Sequence, residues 1–364
     1  MNNDFLVATL PIKPQKNTNV GMMVAPTIME HIGNIFNIDK CMSVNLLHTY
    51  ANKDEELNNY KMYIENAGIN YNFLFKDEEY TQQLLNIIKK MIESGIISVQ
   101  KEHIVYCDCG KVDMLKDATN NNGKLYHMEN GKIICNCCNN LCHEQEEDVL
   151  TLKINEHESA SISPAFLQKD IQDIESQFIG KKVLISKKRN TGFKLQIDNN
   201  SFNIDIDFIW SNYFKLLNYQ NEIFIASNHQ LYNMFFINYL SKVSSDKNLH
   251  FIATPYIDGN LNDIKAEYEA RKLKEYKLLL LLYNLKWKNK NSKWSTSNYN
   301  YLANISDTKI KNLYEALLYE SKSYSTEDIF ANIDNALNTS SNMQKNISLM
   351  KTLYKNGYYE RKGV

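Results

Sequence analysis

Val24 to Ile35 reads VAPTIMEHIGNI, and the rest of the chain is organised around how that stretch folds. An apolar run, Gly21 to Val24, leads into a Pro-containing turn, and the tetrad His31 to Asn34 then opens a helix-like segment. Strand, turn and helix N-terminus form a phosphate-collecting geometry, because free backbone N–H groups and the helix dipole point at the ligand. In that geometry Gly33 lets a nucleotide base lie close against the backbone and His31 donates to phosphate oxygens. An ordinary strand-to-helix turn with a capping histidine is the competing reading of the tetrad by itself.

Placed about thirty residues in, after VATLPI (Val7 to Ile12), the tetrad resembles the HIGH signature of class I aminoacyl-tRNA synthetases. Asn34 stands where that family has its second histidine. Asparagine keeps a donor but carries no charge, so the resemblance implies a weakened or altered ATP chemistry. It also implies that His31 and Asn34 are the catalytic pair and that His31, Gly33 and Asn34 contact ATP.

The clearest chemical signal lies further on. Six of the seven cysteines fall between Cys107 and Cys142, as CDCG at Cys107 to Gly110 and CNCCNNLCH at Cys135 to His143. Two short turns, each presenting two thiolates, supply a tetrahedral zinc site without straining the backbone. The expected ligands are Cys107, Cys109, Cys135 and Cys138, with Cys137, Cys142 and His143 as substitutes because the first pair is C-x-C rather than C-x-x-C. Four thiolates leave no open position, so the zinc is structural. Six exposed unpaired thiols are the poorer alternative, and a cluster without a secretion signal favours metal over disulfides.

Around these motifs the periodicity sets out the elements. Ile35 to Ala51 has helical spacing, and Asn52 to Glu65 continues as helix. Asp77 to Ser94 is a helix opened by three acidic residues and closed by Gly95, followed by a strand at Ile96 to Val99. Glu146 to Ile154 is a strand and Ala165 to Phe178 a helix. The order helix, Gly, strand, cysteine pair resembles the approach to the zinc-bearing insertion of methionyl-type synthetases.

Later segments carry the same resemblance. KKVLISKKRNTGFKLQI (Lys181 to Ile197) is similar to the strand that crosses into the second half of the nucleotide fold. DIDFIWSNYFKLL (from Asp205 through Leu217) resembles a strand ending in the aromatic patch of the amino-acid pocket, which implies pocket roles for Trp210 and Tyr213; core packing is the other reading of Trp210. IFIASNHQLYN, from Ile223, resembles the stretch that reaches the ATP ribose and the amino acid, with Asn228 and Asn233 where the family has Asp and His. NLHFIATPYIDG (Asn248 to Gly259) resembles the strand before the KMSKS loop, yet no such loop follows.

The implied fold is α/β: a doubly wound parallel sheet split by a zinc-knuckle insertion and followed by a helical domain. The boundaries are 1–100 and 156–260 for the two catalytic halves, 101–155 for the insertion and 261–364 for the helices. Roughly 150 residues between His31 and Ser186 leave room for a short insertion but no large editing domain. The implied activity is a ligase that binds ATP, with Mg²⁺, and an amino acid, forms an aminoacyl adenylate, and passes the acyl group to tRNA or another small acceptor. A non-catalytic paralogue, binding tRNA, an amino acid or a partner as adaptor or regulator, is the alternative favoured by the missing KMSKS lysines. A zinc-dependent nucleic-acid module is a third.

Composition sets bounds rather than choosing among these. The chain has 364 residues, is 43% hydrophobic and carries a net charge of −1, which suits two or three domains with a sizeable core. Residues 260–364 hold 17 Lys/Arg against 11 Asp/Glu, the balance expected of an RNA-contacting appendage and equally of an ordinary helical domain. Lys286, Lys288, Lys290 and Lys293 interleave with Trp287 and Trp294 there. No signal peptide is read at the N-terminus, and the apolar run Leu278 to Tyr283 is too short to cross a bilayer. A cytoplasmic protein without membrane association is the expectation.

Overall fold

The computed structural model describes residues 4–15, 21–47, 52–114, 125–187, 193–254, 256–258, 291–293, 328–335 and 337. In chain order these form β1 (Phe5–Thr9), α1 (Gly21–Phe36), β2 (Asp39–Val44), α2 (Lys53–Asn66), β3 (Phe73–Lys76), α3 (Thr81–Glu93), β4 (Ile97–Tyr106) and β5 (Val112–Met114). Next come β6 (Tyr126–Glu129), β7 (Lys132–Cys135), β8 (His143–Lys153), β9 (Ser161–Ser163), α4 (Gln168–Phe178), β10 (Lys182–Leu184), β11 (Phe193–Ile197) and β12 (Asn200–Ile204). The series continues with α5 (Ile206–Trp210), β13 (Asn221–Ser227), α6 (Leu231–Ser244), β14 (Asn248–Thr254), β15 (Tyr256–Asp258) and β16 (Asn291–Lys293).

Six strands make one parallel sheet in the order β3-β2-β1-β13-β14-β9. Its strands are near-continuous apolar runs such as Phe224-Ile225-Ala226, because both faces are covered. Helices α1 and α2, with residues 329, 333 and 337, pack on one face, and α3, α4 and α6 on the other. The winding therefore reverses between β1 and β13. This is a doubly wound α/β fold, and in such folds the ligand crevice lies at the carboxyl ends of the strands beside that reversal.

The second sheet, β10-β8-β4-β5, is antiparallel and carries the cysteine arm. Strands β4 and β8 pair without interruption from Ile97↔Leu152 to Tyr106↔His143. At the tip, β6 and β7 form a hairpin across Asn130 and Gly131, both at positive φ (50° and 75°), as a two-residue type I′ turn requires.

Three expectations are corrected. Ile35 to Ala51 is not a helix: α1 ends at Phe36, Asn37 takes φ 52°, and β2 begins at Asp39. The segment from Asp205 through Leu217 is helical, as α5 and a 3₁₀ turn over Tyr213–Leu216, rather than a strand.

The third correction concerns the opening stretch itself. Gly21 to Phe36 is one continuous helix with Pro26 inside it. Pro26 has no N–H to give the carbonyl of Met22 one turn back, the usual reason for proline to break a helix. That carbonyl is satisfied by the Tyr60 hydroxyl of α2, which donates to it at 3.2 Å, so the helix runs on. The expected helices at 265–286, 308–320 and 342–354, and Trp287 and Trp294, lie outside the described residues; of 326–337, residues 329–335 are helical.

Candidate functional site

The C-terminal edge of the sheet is built where β1 and β13 end. Leu10 N–H donates to Ile225 O at 2.9 Å, continuing the ladder past β1. Thr9 Oγ1 accepts from Ser43 N–H at 2.9 Å, and Thr9 O accepts from the Tyr213 hydroxyl at 3.0 Å, tying β1 to β2 and to the 3₁₀ turn. Beside this edge lies a small, shallow cleft lined by Leu10, Pro11, Asp207, Trp210, Ser211, Gln230, Asn233 and Ile237. Its interior has room for about one water molecule, far short of the roughly 300–1,000 Å³ that encloses a drug-sized ligand.

Of the residues singled out by sequence, Trp210 and Asn233 line this cleft. Asn228 opens the 3₁₀ turn directly after β13, on the same edge. Tyr213 does not line it: the side chain is fully buried, its ring 5.4 Å from Phe75 and 5.3 Å from Phe224, and burial drives its hydroxyl pKa well up. It is a core residue.

His31, Gly33 and Asn34 are also elsewhere. His31 is ten residues into α1, about 15 Å from its N-terminus, and only 3% exposed. Asn34 Oδ1 accepts from Lys40 Nζ at 2.8 Å beside the start of β2, at the opposite edge of the sheet. A Cβ on Gly33 would sit 2.3 Å from Lys40 Cγ, so the missing side chain makes room for the lysine stem. The tetrad closes the helix that it was expected to open.

The cleft residues that sequence reasoning missed had a recoverable signal. Asp207, Trp210 and Ser211 follow i, i+3, i+4 spacing, and Gln230, Asn233 and Ile237 follow i, i+3, i+7; each set is one helical face. Asp77 supports the cleft from behind. Fully buried at the end of β3, it accepts from Leu46 N–H at 2.7 Å through Oδ1 and from Trp210 Nε1 at 2.8 Å through Oδ2. Burial pushes its carboxyl up to about 6, against the pull of these donors.

The cysteine arm brings four of its thiols together. The sulfurs of Cys107, Cys109, Cys135 and Cys138 lie within 4.8 Å of one another. Cys107 and Cys138 are 3.3 Å apart and Cys109 and Cys135 3.5 Å. A Zn–S length of about 2.3 Å implies tetrahedral S–S edges of about 3.8 Å, so the set suits a four-coordinate ion and could hold a metal such as zinc. Cys137 N–H donates to Cys135 Sγ at 3.4 Å, the backbone support that a knuckle gives to a thiolate. The Lys111 backbone N–H draws the Cys109 thiol down to about 7, favouring the ligating form. Of the substitute ligands, His143 stacks on Tyr106 at 5.1 Å and faces Asp108 at 3.6 Å.

A doubly wound parallel sheet with its crevice at the β1/β13 reversal, carrying an inserted cysteine arm, is the Rossmann-like fold of class I synthetases. Solved structures agree. The chain superposes on Mycobacterium tuberculosis methionyl-tRNA synthetase in complex with methionyl-adenylate with a TM-score of 0.59 at 9% identity, covering 96% of this chain and 85% of that one. A second methionyl-adenylate complex of that enzyme gives 0.57 at 9% identity over 86% and 71%. Its apo form gives 0.60 at 10% identity over 93% and 80%. No protein-family model matches the chain, and no curated protein matches it in sequence. Among the described residues no helix is long and apolar enough to cross a membrane.

Proposed function

We propose that the chain is a class I synthetase-like ligase that binds ATP, with Mg²⁺, and an amino acid at the β1/β13 crevice, and joins them as an aminoacyl adenylate for transfer to tRNA or another small acceptor. The observation that carries this reading is the cleft: two helical faces meet beside the winding reversal of a fold otherwise seen holding methionyl-adenylate. The side chain of the amino acid would enter between Trp210 and Asn233. Asn228 would accept from or donate to a ribose hydroxyl. The phosphate would lie at the N-terminal end of α1, where the helix dipole favours negative charge.

Zinc held by Cys107, Cys109, Cys135 and Cys138 would act structurally, since four thiolates complete its shell. Residues 1–100 and 156–260 would form the catalytic body, 101–155 the zinc arm and 261–364 a helical appendage for the acceptor.

Amino-acid-dependent exchange of labelled pyrophosphate into ATP, tried across the twenty amino acids with methionine first, tests the reading. Exchange with one amino acid, reduced at least about tenfold in Trp210→Ala, is expected; no exchange with any of them defeats it. One observation favours a second reading, the non-catalytic adaptor. His31 is buried in mid-helix, and Asn228 and Asn233 are uncharged, so the described crevice residues named for the ligand offer no cation to a triphosphate. Silence in exchange, together with tRNA retention on a filter, is the result that adaptor predicts.

A further inference from the structure

Asp77 is the buried acid for which the proposed function has no use, and its surroundings give it one. It stands at the carboxyl end of β3, 133 residues from Trp210 in sequence, and reaches the indole N–H at 2.8 Å. Its other oxygen is held by Leu46 N–H at the end of β2 at 2.7 Å. The carboxylate therefore spans three separate strand and helix ends at the crevice and touches the one aromatic ring that lines the cleft. Burying a carboxyl group is costly, and an apolar residue of similar size would serve packing at less cost. A carboxylate is instead suited to fixing a ring by its single N–H, because indole has one donor and no acceptor.

We infer that Asp77 is the positioning residue for Trp210: its carboxylate fixes the indole in the cleft and lets the ring turn when it takes up a proton. The inference rests on the cleft being the amino-acid site only for its functional consequence, which is a pH-dependent pocket shape. The charged side chains on the surrounding elements are Lys76, Glu78 and Glu79 beside it, Lys53 on α2 and Asp207 on α5. Lys53 pairs with Glu78 at 3.1 Å and Lys76 with Glu79 at 2.7 Å, so neither lysine is spent on Asp77. Asp207 is exposed. Burial raises the Asp77 carboxyl to about 6, which puts the event inside the range where a folded protein can be measured.

The test uses the full chain with Trp287→Phe and Trp294→Phe, leaving Trp210 as its sole tryptophan. Indole emission is recorded from pH 5 to 8. A shift with its midpoint near 6, absent in Asp77→Asn, is expected. The same titration in Asp77→Asn, or flat emission in the parent, overturns the inference. Should Asp77→Asn fail to fold, Asp77→Glu keeps the acid on a longer arm and must move the midpoint; an unmoved midpoint is equally fatal. Calorimetry with L-methionine and a non-hydrolysable methionyl-adenylate analogue reads the consequence. Asp77→Asn and Trp210→Phe each weaken binding about fivefold and the double variant no further, whereas additive losses count against coupling. If the parent binds neither probe, the ligand reading falls while the emission titration still decides the Asp77–Trp210 link.

Discussion

The cysteine arm and the parallel sheet hold themselves together by different means. The arm's interior is small: Val105, Tyr126 and Ile133 with Cys107, Cys135 and Cys142 make up its buried cluster. The sheet buries two large apolar layers, one under α1 and α2 and one under α3, α4 and α6. A cluster as small as the arm's supplies little of the burial energy needed to offset chain entropy, so four converging thiols stand where a core would otherwise be. The sheet has no need of an ion. With a metal held by those thiols, stability in one molecule would be divided between coordination and burial, and the two parts should fail under different insults.

The widest separation is expected on metal removal. Structural zinc contributes about 10–16 kcal/mol of apparent binding energy in small modules, so a strong chelator or Cys135→Ser should abolish ordered structure in residues 105–114 and 125–143. Amide exchange there should rise to the unprotected rate while β13 and β14 stay protected, with one zinc per chain lost by metal analysis. Loss of protection in both regions would mean that the arm is part of the main core. Tyr213→Ala is the mirror experiment. It removes a fully buried ring and should cost about 3–5 kcal/mol in urea unfolding with zinc content unchanged; a cost below about 1 kcal/mol would mean the residue is not core.

Acid separates the regions next. His250, on β14, has Ser161 Oγ and Ser163 Oγ at 2.9 and 2.8 Å and Phe330 stacked over it at 5.6 Å. Burial lowers its pKa from 6.5 to about 4. The unfolded chain therefore takes up the proton first, and the stability of the neutral ring, present above 6.5, drains away as pH falls toward 4. The loss amounts to about 3 kcal/mol over that window, and a flatter stability profile in His250→Gln is the check. The smallest effect is expected from His31→Ala. It should lower stability by about 1–2 kcal/mol and leave binding at the cleft untouched; an abolished ligand response would restore His31 to the site.

How much of this was legible in the sequence follows the same division. The cysteine ligands are specified by turns a few residues long, so spacing put Cys107, Cys109, Cys135 and Cys138 first, and the converging sulfurs set them ahead of Cys137, Cys142 and His143. Of the sheet, β13 and β14 were legible as apolar runs and α3 by its periodicity, whereas β2 lay inside a stretch with helical spacing and its strand character was hidden. The opening stretch misled because Pro26 looks like a break, and only a hydroxyl on α2, 38 residues beyond the Met22 carbonyl that it satisfies, cancels it. Tyr213 and Trp210, three residues apart, diverge into core and cleft according to the phase of a short helical segment that the run of aromatics conceals. The cleft faces at 207–211 and 230–237 meet only once β1 and β13 are side by side, and no local pattern carries that.

The uninterrupted ladder between β4 and β8 has an evolutionary consequence. Side chains on a strand alternate faces, so adding a single residue to either strand would turn everything beyond it over, sulfur ligands included. The tether can therefore grow or shrink only by matched steps on both strands, two rungs at a time. Among divergent descendants of this chain, the reach of the cysteine-bearing tip should come in discrete lengths of about 7 Å, each rung adding about 3.4 Å.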